Sequence, residues 1–416
     1  MSVPLLTIAT AGSVDDGKST LIGRLLYETE SLSADRIAQV RTASLHRGHQ
    51  DIDFSLVTDG LIAEREQGIT IDVAHLYFSS HHCDFIIADT PGHFEYTRNM
   101  VTGASRADIM VLLVDARQGI KQQSLRHLYL AGLLRLRQVI VAVNKMDLVD
   151  WDERRFDRIL SELDAYRTRF GFAAMRLHGI PVCSLLGDNV TTRSSRMGWF
   201  KGQSLLELLK HLAETCRPES QPMRFMVQGC IRPRSKEYPD YRGIAGRLYG
   251  KPLVVGEEVV VLPSGISSRV RDIQFNGASY DEATPGSSCT VLLDGDIDVA
   301  RGHILTHPGE QIPPQEQFRA TICHFARRSL QPGQVYQLQA GTLVTPVVVR
   351  ALEACMLPDF SGVESATQLR MNDIGIVTLQ AAEPICLDRF EHSRHTGSFI
   401  LVDNSTLETC AAGLVL

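Results

Sequence analysis

The sequence contains no run of about 18 consecutive apolar residues, the length a helix needs to cross a bilayer, so no membrane span is expected. Its N-terminus, MSVPLLTIATAGS, has no basic segment ahead of the apolar stretch. It reads as a first strand and not as a secretory signal, and the expected location is the cytoplasm. The nine cysteines are scattered and none forms a CxxC pair, which argues against zinc ribbons and disulfides and for free thiols in a reducing compartment. The formal net charge of -6 offers no electrostatic footprint for a polyanion, so a nucleic-acid partner is not expected. Helical repeats and low-complexity tracts are also missing. What remains is an ordinary globular composition, 44% hydrophobic and 22% charged. A chain of 416 residues has room for roughly two to four domains.

Over the first half, short β-branched runs (LLTIATAG, CDFIIADTPG, ADIMVLLVDA, QVIVAVNKMD, GIPVC) alternate with stretches of helical spacing such as STLIGRLLYETE and SLRHLYLAGLLR. Continuous buried runs alternating with helices predict a mostly parallel, doubly wound α/β sheet. A last helix, SLLELLKHLAETC, leads to the break RPESQP. Beyond it the texture changes to short strands punctuated by Gly, Pro, Asn and Asp, the pattern of a small closed β-barrel. A second break at THPGEQIPPQ opens another all-β stretch. The expected organisation is an α/β domain over 1–216 and two β-barrels over 222–306 and 312–416.

Gly12, Ser13, Val14, Asp15, Asp16, Gly17, Lys18 and Ser19, followed by Thr20, match G-x-x-x-x-G-K-[ST] between an expected strand and an expected helix. Glycines there let backbone N–H groups wrap phosphates, and the helix N-terminus adds positive potential. Lys18 would reach the β- and γ-phosphates, and the Ser19 hydroxyl would ligate magnesium. Asp89, Thr90, Pro91, Gly92 and His93 follow a strand, placing a carboxylate where it can hold magnesium through water and an amide where it can meet the γ-phosphate. Asn144, Lys145, Met146 and Asp147 end another strand. A carboxylate at Asp147 accepts both N1–H and the exocyclic amine of guanine, a pairing adenine cannot offer. Ser184, Leu185 and Leu186 would bring a backbone amide to guanine O6. Between the first two motifs, Glu64–Thr70 is a polar loop with a threonine available to close over magnesium. The expected ligands are therefore GTP and Mg2+.

With these motifs in order, the chain resembles the translation-factor class of GTPases, whose corresponding motifs are DTPGH and NKMD. The resemblance implies that Thr70 coordinates magnesium when GTP is bound and that His93 orients the attacking water. Lys18, Thr70 and His93 thus form the expected catalytic set, with Ser19, Thr70 and Asp89 on the metal. No arginine finger is apparent in cis, so unassisted turnover should be slow. The P-loop SVDDGKST, where translation factors have HVDHGKTT, resembles the GTPase large subunit of bacterial sulfate adenylyltransferases. So do EREQGITIDVAHLYF, FIIADTPGHFEYTRNMVTGAS, DYRGIAGRL, VLPSGISSRV and, more loosely, LRMNDIGIV. This resemblance implies a GTPase that drives adenylyl sulfate formation by a separate small, catalytic ATP-sulfurylase subunit. A translation elongation factor-like GTPase shares the domain plan, but the Asp-Asp P-loop, the TRNM segment and the acidic balance count against it.

Three segments depart from the family pattern: RPRSKEYPDYRG is a few residues longer, and ICHFARRSL and ACMLPDFSGVESATQL differ in content. No second P-loop follows, so the adenylylsulfate kinase domain fused to some relatives is not expected. The pairs His81–His82 and His303/His307 have no third ligand at useful spacing and read as solvated loop residues, as does the basic pair Arg327–Arg328.

Overall fold

The structure, a computed structural model, describes residues 4–46, 52–57, 72–80, 83–93, 96–215, 221–233 and 241–416. Thr70, the rest of the Glu64–Thr70 loop and the pair His81–His82 lie outside the described residues. The chain forms two compact units, Met1–Arg217 and Pro218–Leu416.

In the first unit six strands stand in the order β2-β3-β1-β4-β5-β6: β1 Leu5–Ala11, β2 Ala74–Ser80, β3 Cys83–Asp89, β4 Ile109–Asp115, β5 Gln138–Asn144 and β6 Arg176–Pro181. Five are parallel, as their unbroken apolar runs require, and every residue of β4 is buried. The expected parallel sheet carries one antiparallel edge, β2, paired with β3 from Ala74↔Asp89 to Ser80↔Cys83. Its alternating exposure fits a strand with one face open to water. The strand expected over GIPVC ends at Pro181, so Cys183 and Ser184 belong to the loop beyond it.

The helices are α1 Lys18–Glu28, α2 Ala34–His46, α3 Thr97–Ala104, α4 Gln122–Leu133, α5 Glu153–Arg169 and α6 Leu205–Thr215. Helix α1 turns Leu21, Ile22, Leu25 and Leu26 into a core shared with Ile8, Ile87, Val111, Ile140, Leu205 and Leu209. Each such aliphatic side chain contributes roughly 1.5–3 kcal/mol on burial. Helix α6 starts with a capping box, in which Ser204 N donates to Glu207 Oε2 (2.8 Å) and Glu207 N to Ser204 Oγ (3.4 Å). A sheet order that departs from β1 in both directions leaves a crevice at the carboxyl ends of its central strands, the usual ligand position in such folds.

The second unit holds two seven-stranded antiparallel sheets. One is built from strands within Arg224–Thr306 and closes through pairing of Glu258–Leu262 with Ile266–Phe275. The other is built from strands within Gln315–Val415 and closes through Val335–Ala340 with Leu343–Met356. Each encloses its own apolar core, one around Phe225, Val261 and Leu305, the other around Ile322, Val347 and Leu401. A buried ion pair ties the barrels together: Arg224 donates to both carboxylate oxygens of Asp388 (2.8 and 2.9 Å), and further to Thr306 Oγ1 (2.6 Å). No helix among the described residues is long and apolar enough to cross a membrane.

Candidate nucleotide-binding site

The motif residues singled out by the sequence emerge from the carboxyl ends of two strand pairs, β3 with β1 and β5 with β6, on either side of β4. The Gly12–Gly17 loop follows β1, Asp89 ends β3, Asn144 ends β5, and Ser184 lies just past β6. Gly17 sits at φ 92°, and a Cβ there would stand 2.3 Å from Asn144 Nδ2, so only glycine fits this turn into α1. Gly92 is equally constrained, since a Cβ would meet the Gly12 carbonyl oxygen at 2.4 Å. The Gly12–Gly17 loop and the loop after Asp89 therefore touch backbone to backbone.

Lys18 is buried, and its ammonium donates to Asp89 Oδ1 at 2.7 Å and to the Thr90 carbonyl. Asp89, 1% exposed, also accepts from Thr10 Oγ1 (3.0 Å), which fixes its direction. Ser19 follows in the first turn of α1 and is half-buried. The hydroxyl of Ser13 is buried with no hydrogen-bond partner, an arrangement that favours a polar ligand atom in the loop. His93 is partly exposed on the loop after Asp89, its ring 5.9 Å from that of Tyr96.

Asn144 joins the two ends of the site. Its Nδ2 donates to the Asp16 carbonyl at 2.8 Å, and its Oδ1 accepts from Ser184 N (3.0 Å) and Ser184 Oγ (2.9 Å). Lys145 donates to the Asp15 carbonyl and pairs with Asp115 Oδ2 at 3.1 Å. Met146 is fully buried and anchors the short turn that presents Asp147. Leu185 and Leu186 are exposed, 62% and 47% respectively, on the rim just past β6. Arg24 of α1 reaches the Leu185 carbonyl at 3.0 Å while stacking on Phe54, so the P-loop helix also steadies this rim.

Around Asp16 of the P-loop, four residues that pattern reading passed over, Lys121, Asp115, His127 and Cys183, belong to this framework. Asp16 accepts from Ser13 N and from Lys121 Nζ, both at 2.8 Å. Burial raises its pKa against the lowering pull of Lys121. Asp115 is buried, which opposes its charge, yet hydrogen bonds from Arg117 and Lys145 outweigh that and hold its pKa at about 2. His127 of α4 is driven the other way. Burial, with the positive charges of Lys18 and Arg126, pushes it down to about 3, so it is neutral. Cys183 donates its thiol to Asp147 Oδ1 at 3.1 Å. Lys121, just before α4, and His127, within it, are ordinary residue types for their places, and nothing in local spacing marks them.

The histidines set aside in the sequence lie elsewhere. His307 stands 3.1 Å from Glu257, and His303 accepts from the Ala300 amide at 3.3 Å. Among the described residues no group of three or more His, Cys, Asp or Glu is placed to hold a metal ion.

Comparison with known proteins agrees with the geometry. Residues 3–217 match the elongation factor Tu GTP binding domain, and residues 317–416 match the GTP-eEF1A C-terminal domain-like family. The bifunctional enzyme NodQ of Rhizobium tropici is 43% identical over 99% of this chain and 64% of its own length. The bifunctional enzyme CysN/CysC of Mycobacterium tuberculosis (strain ATCC 25618 / H37Rv) is 44% identical over 99% of this chain and 67% of its own. Sulfate adenylyltransferase subunit 1 of Cellvibrio japonicus is 39% identical, again over 99% of this chain, and here the match takes in 86% of the relative. The chain thus spans about two thirds of the bifunctional relatives and most of the single-function one. With a GTP-binding domain of the elongation factor Tu type and this likeness along its length, the chain belongs to the family of sulfate adenylyltransferase subunit 1.

Proposed function

We propose that the chain hydrolyses GTP on magnesium and couples that hydrolysis to formation of adenylyl sulfate and pyrophosphate from ATP and sulfate on a separate small subunit, in the cytoplasm. The observation that carries the GTP part is the bridge through Asn144, which holds the phosphate loop and the base loop in one hydrogen-bonded frame. What supports the sulfate part is family membership. On this reading the chain divides at 1–216, 222–306 and 312–416.

The backbone amides of Gly12–Thr20 and the start of α1 cradle the phosphates. Lys18, which pairs with Asp89, exchanges that contact for β- and γ-phosphate oxygens and leaves the carboxylate for the metal. The donor set there, the Ser19 hydroxyl and the Asp89 carboxylate with Thr70, consists of the hard oxygens that magnesium takes. Magnesium, when bound, neutralises charge developing on the β- and γ-phosphates. The Gly92 amide meets the γ-phosphate, Thr90 and Pro91 set its approach, and His93 holds the attacking water in line. At the other end Asp147 accepts from N1–H and the 2-amino group of guanine, Ser184 offers its amide to O6, and the aliphatic parts of Lys145, Leu185 and Leu186 cover the ring faces.

The test is reconstitution. The isolated chain should be a slow GTPase that makes no adenylyl sulfate. With the small subunit, ATP and sulfate, GTP hydrolysis should accelerate and GTP should raise the adenylyl sulfate yield. Thr70→Ala should bind GTP yet lose both effects. A yield indifferent to GTP would refute the coupling while leaving the GTPase intact.

A further inference from the structure

The two barrels of the second unit do not pack completely where they meet. Val260, Leu262 and Ile304 pack against Ile312 and Cys386 in a small buried apolar cluster. Beside it a cavity of about 200 Å³ remains, with Met226, Leu262 and Ile304 of one barrel and Leu343, Ile385 and Leu387 of the other in its lining. Voids larger than a water molecule are few in a close-packed interior, and one of roughly 150 Å³ already holds benzene. The space is therefore that of a small ligand.

The same cavity is lined by side chains of opposite charge, Arg301 from one barrel and Glu383 from the other, both exposed. Arg301 donates to the Gln228 carbonyl at 3.1 Å, and among the described residues neither it nor Glu383 has an ion-pair partner. A guanidinium carries five N–H donors, so Arg301 keeps most of its capacity. His303, also in the lining, accepts from the Ala300 amide on Nδ1 (3.3 Å), and burial lowers its pKa. The neutral ring thus carries its hydrogen on Nε2, where it can donate. Thr345 is buried in the lining, and its hydroxyl makes no hydrogen bond among the described residues.

We propose that this cavity binds a free α-amino acid with an aliphatic side chain, its carboxylate on Arg301, its ammonium on Glu383 and its side chain among Leu262, Leu343 and Ile385. Charge complementarity selects the zwitterion. A simple carboxylic acid would be repelled by Glu383 and a simple amine by Arg301, whereas an amino acid satisfies both. The apolar floor then favours a branched aliphatic side chain over a polar one. His303 and Thr345 supply further donors for the carboxylate. The site shares no residue with the nucleotide site.

The experiment is calorimetric titration of the full chain with L-leucine, glycine, isocaproate and isoamylamine. L-Leucine should saturate the protein at millimolar concentration or below. The other three lack, in turn, the side chain, the ammonium and the carboxylate, and each should bind at least about 10-fold more weakly. Arg301→Gln and Glu383→Gln should each weaken L-leucine about 10-fold or more, as loss of a hydrogen bond to a charged group does. Leu343→Trp fills the cavity and should abolish binding, with thermal melting to confirm its fold. Should that variant unfold, the two exposed Gln variants decide the matter. No saturation by L-leucine, glycine binding as tightly as L-leucine, or affinity indifferent to both Gln variants would each overturn the inference.

Discussion

Asn144→Ala is the most direct test of the frame that joins the two ends of the site. The side chain makes three buried hydrogen bonds, one to the Asp16 carbonyl and two from Ser184, between 2.8 and 3.0 Å. At about 1 kcal/mol net for each, their removal costs about 3 kcal/mol. Packing loss is small, because the residue contributes mainly polar contacts. For a unit of this size, that lowers the melting temperature by about 6–12 °C. If half of the loss is felt only when both loops grip a nucleotide, GTP affinity falls about tenfold as well. Ser184→Ala removes a single one of the three bonds, the one from Oγ, and should show about a third of the stability effect. The assay is thermal denaturation with and without GTP, followed by titration. An Asn144→Ala protein no less stable than Ser184→Ala, with unchanged GTP affinity, would refute the idea that this side chain unites the site.

Lys18→Ala should abolish GTP binding, whereas His93→Ala should bind GTP within a few-fold of wild type and hydrolyse it roughly 10²-fold more slowly in the stimulated reaction, read by single-turnover assay. His127 has an ordinary pKa of 6.5 when unfolded and about 3 in place, so the unfolded chain takes up the proton first. Stability should be intact above pH 6.5 and decline as pH falls from there toward 3, and His127→Leu should flatten that limb of a pH-dependent denaturation series. In the second unit, Arg224→Ala strands a buried Asp388 carboxylate and should cost roughly 3–5 kcal/mol in urea denaturation. Replacing both partners with Met and Leu should recover much of that loss.

The motifs proposed to hold phosphate and base stand out in the sequence because the chemistry they point to is local. Gly17 must adopt positive φ beside Lys18, and Asp147 stands three residues after Asn144 at a strand's end. The alternation of buried runs and helices similarly fixed the fold of the first unit, and the Gly-punctuated strands that of the barrels. Contacts between distant positions left no such trace. Lys121 reaches Asp16 across 105 residues, and Cys183 reaches Asp147 across 36. A lysine before a helix and a cysteine after a strand are ordinary in themselves, and only folding places each on a carboxylate. The antiparallel edge β2 was missed for another reason. AHLYFSS alternates only weakly in polarity and carries none of the nucleotide-site motifs, so nothing in it announces a strand that runs antiparallel to β3.

Each barrel closes on itself, so the main-chain donors and acceptors of its long strands are already paired around the ring. The strands at the ends of the two sheet orders, Ala278–Tyr280 and Val363–Glu364, are only three and two residues long. An incoming polypeptide therefore has little backbone to add a strand to, and must be read by side chains and loops. Those are the parts of a barrel that can be rewritten without disturbing its ring of hydrogen bonds. One scaffold can in this way keep its architecture while changing the company it keeps.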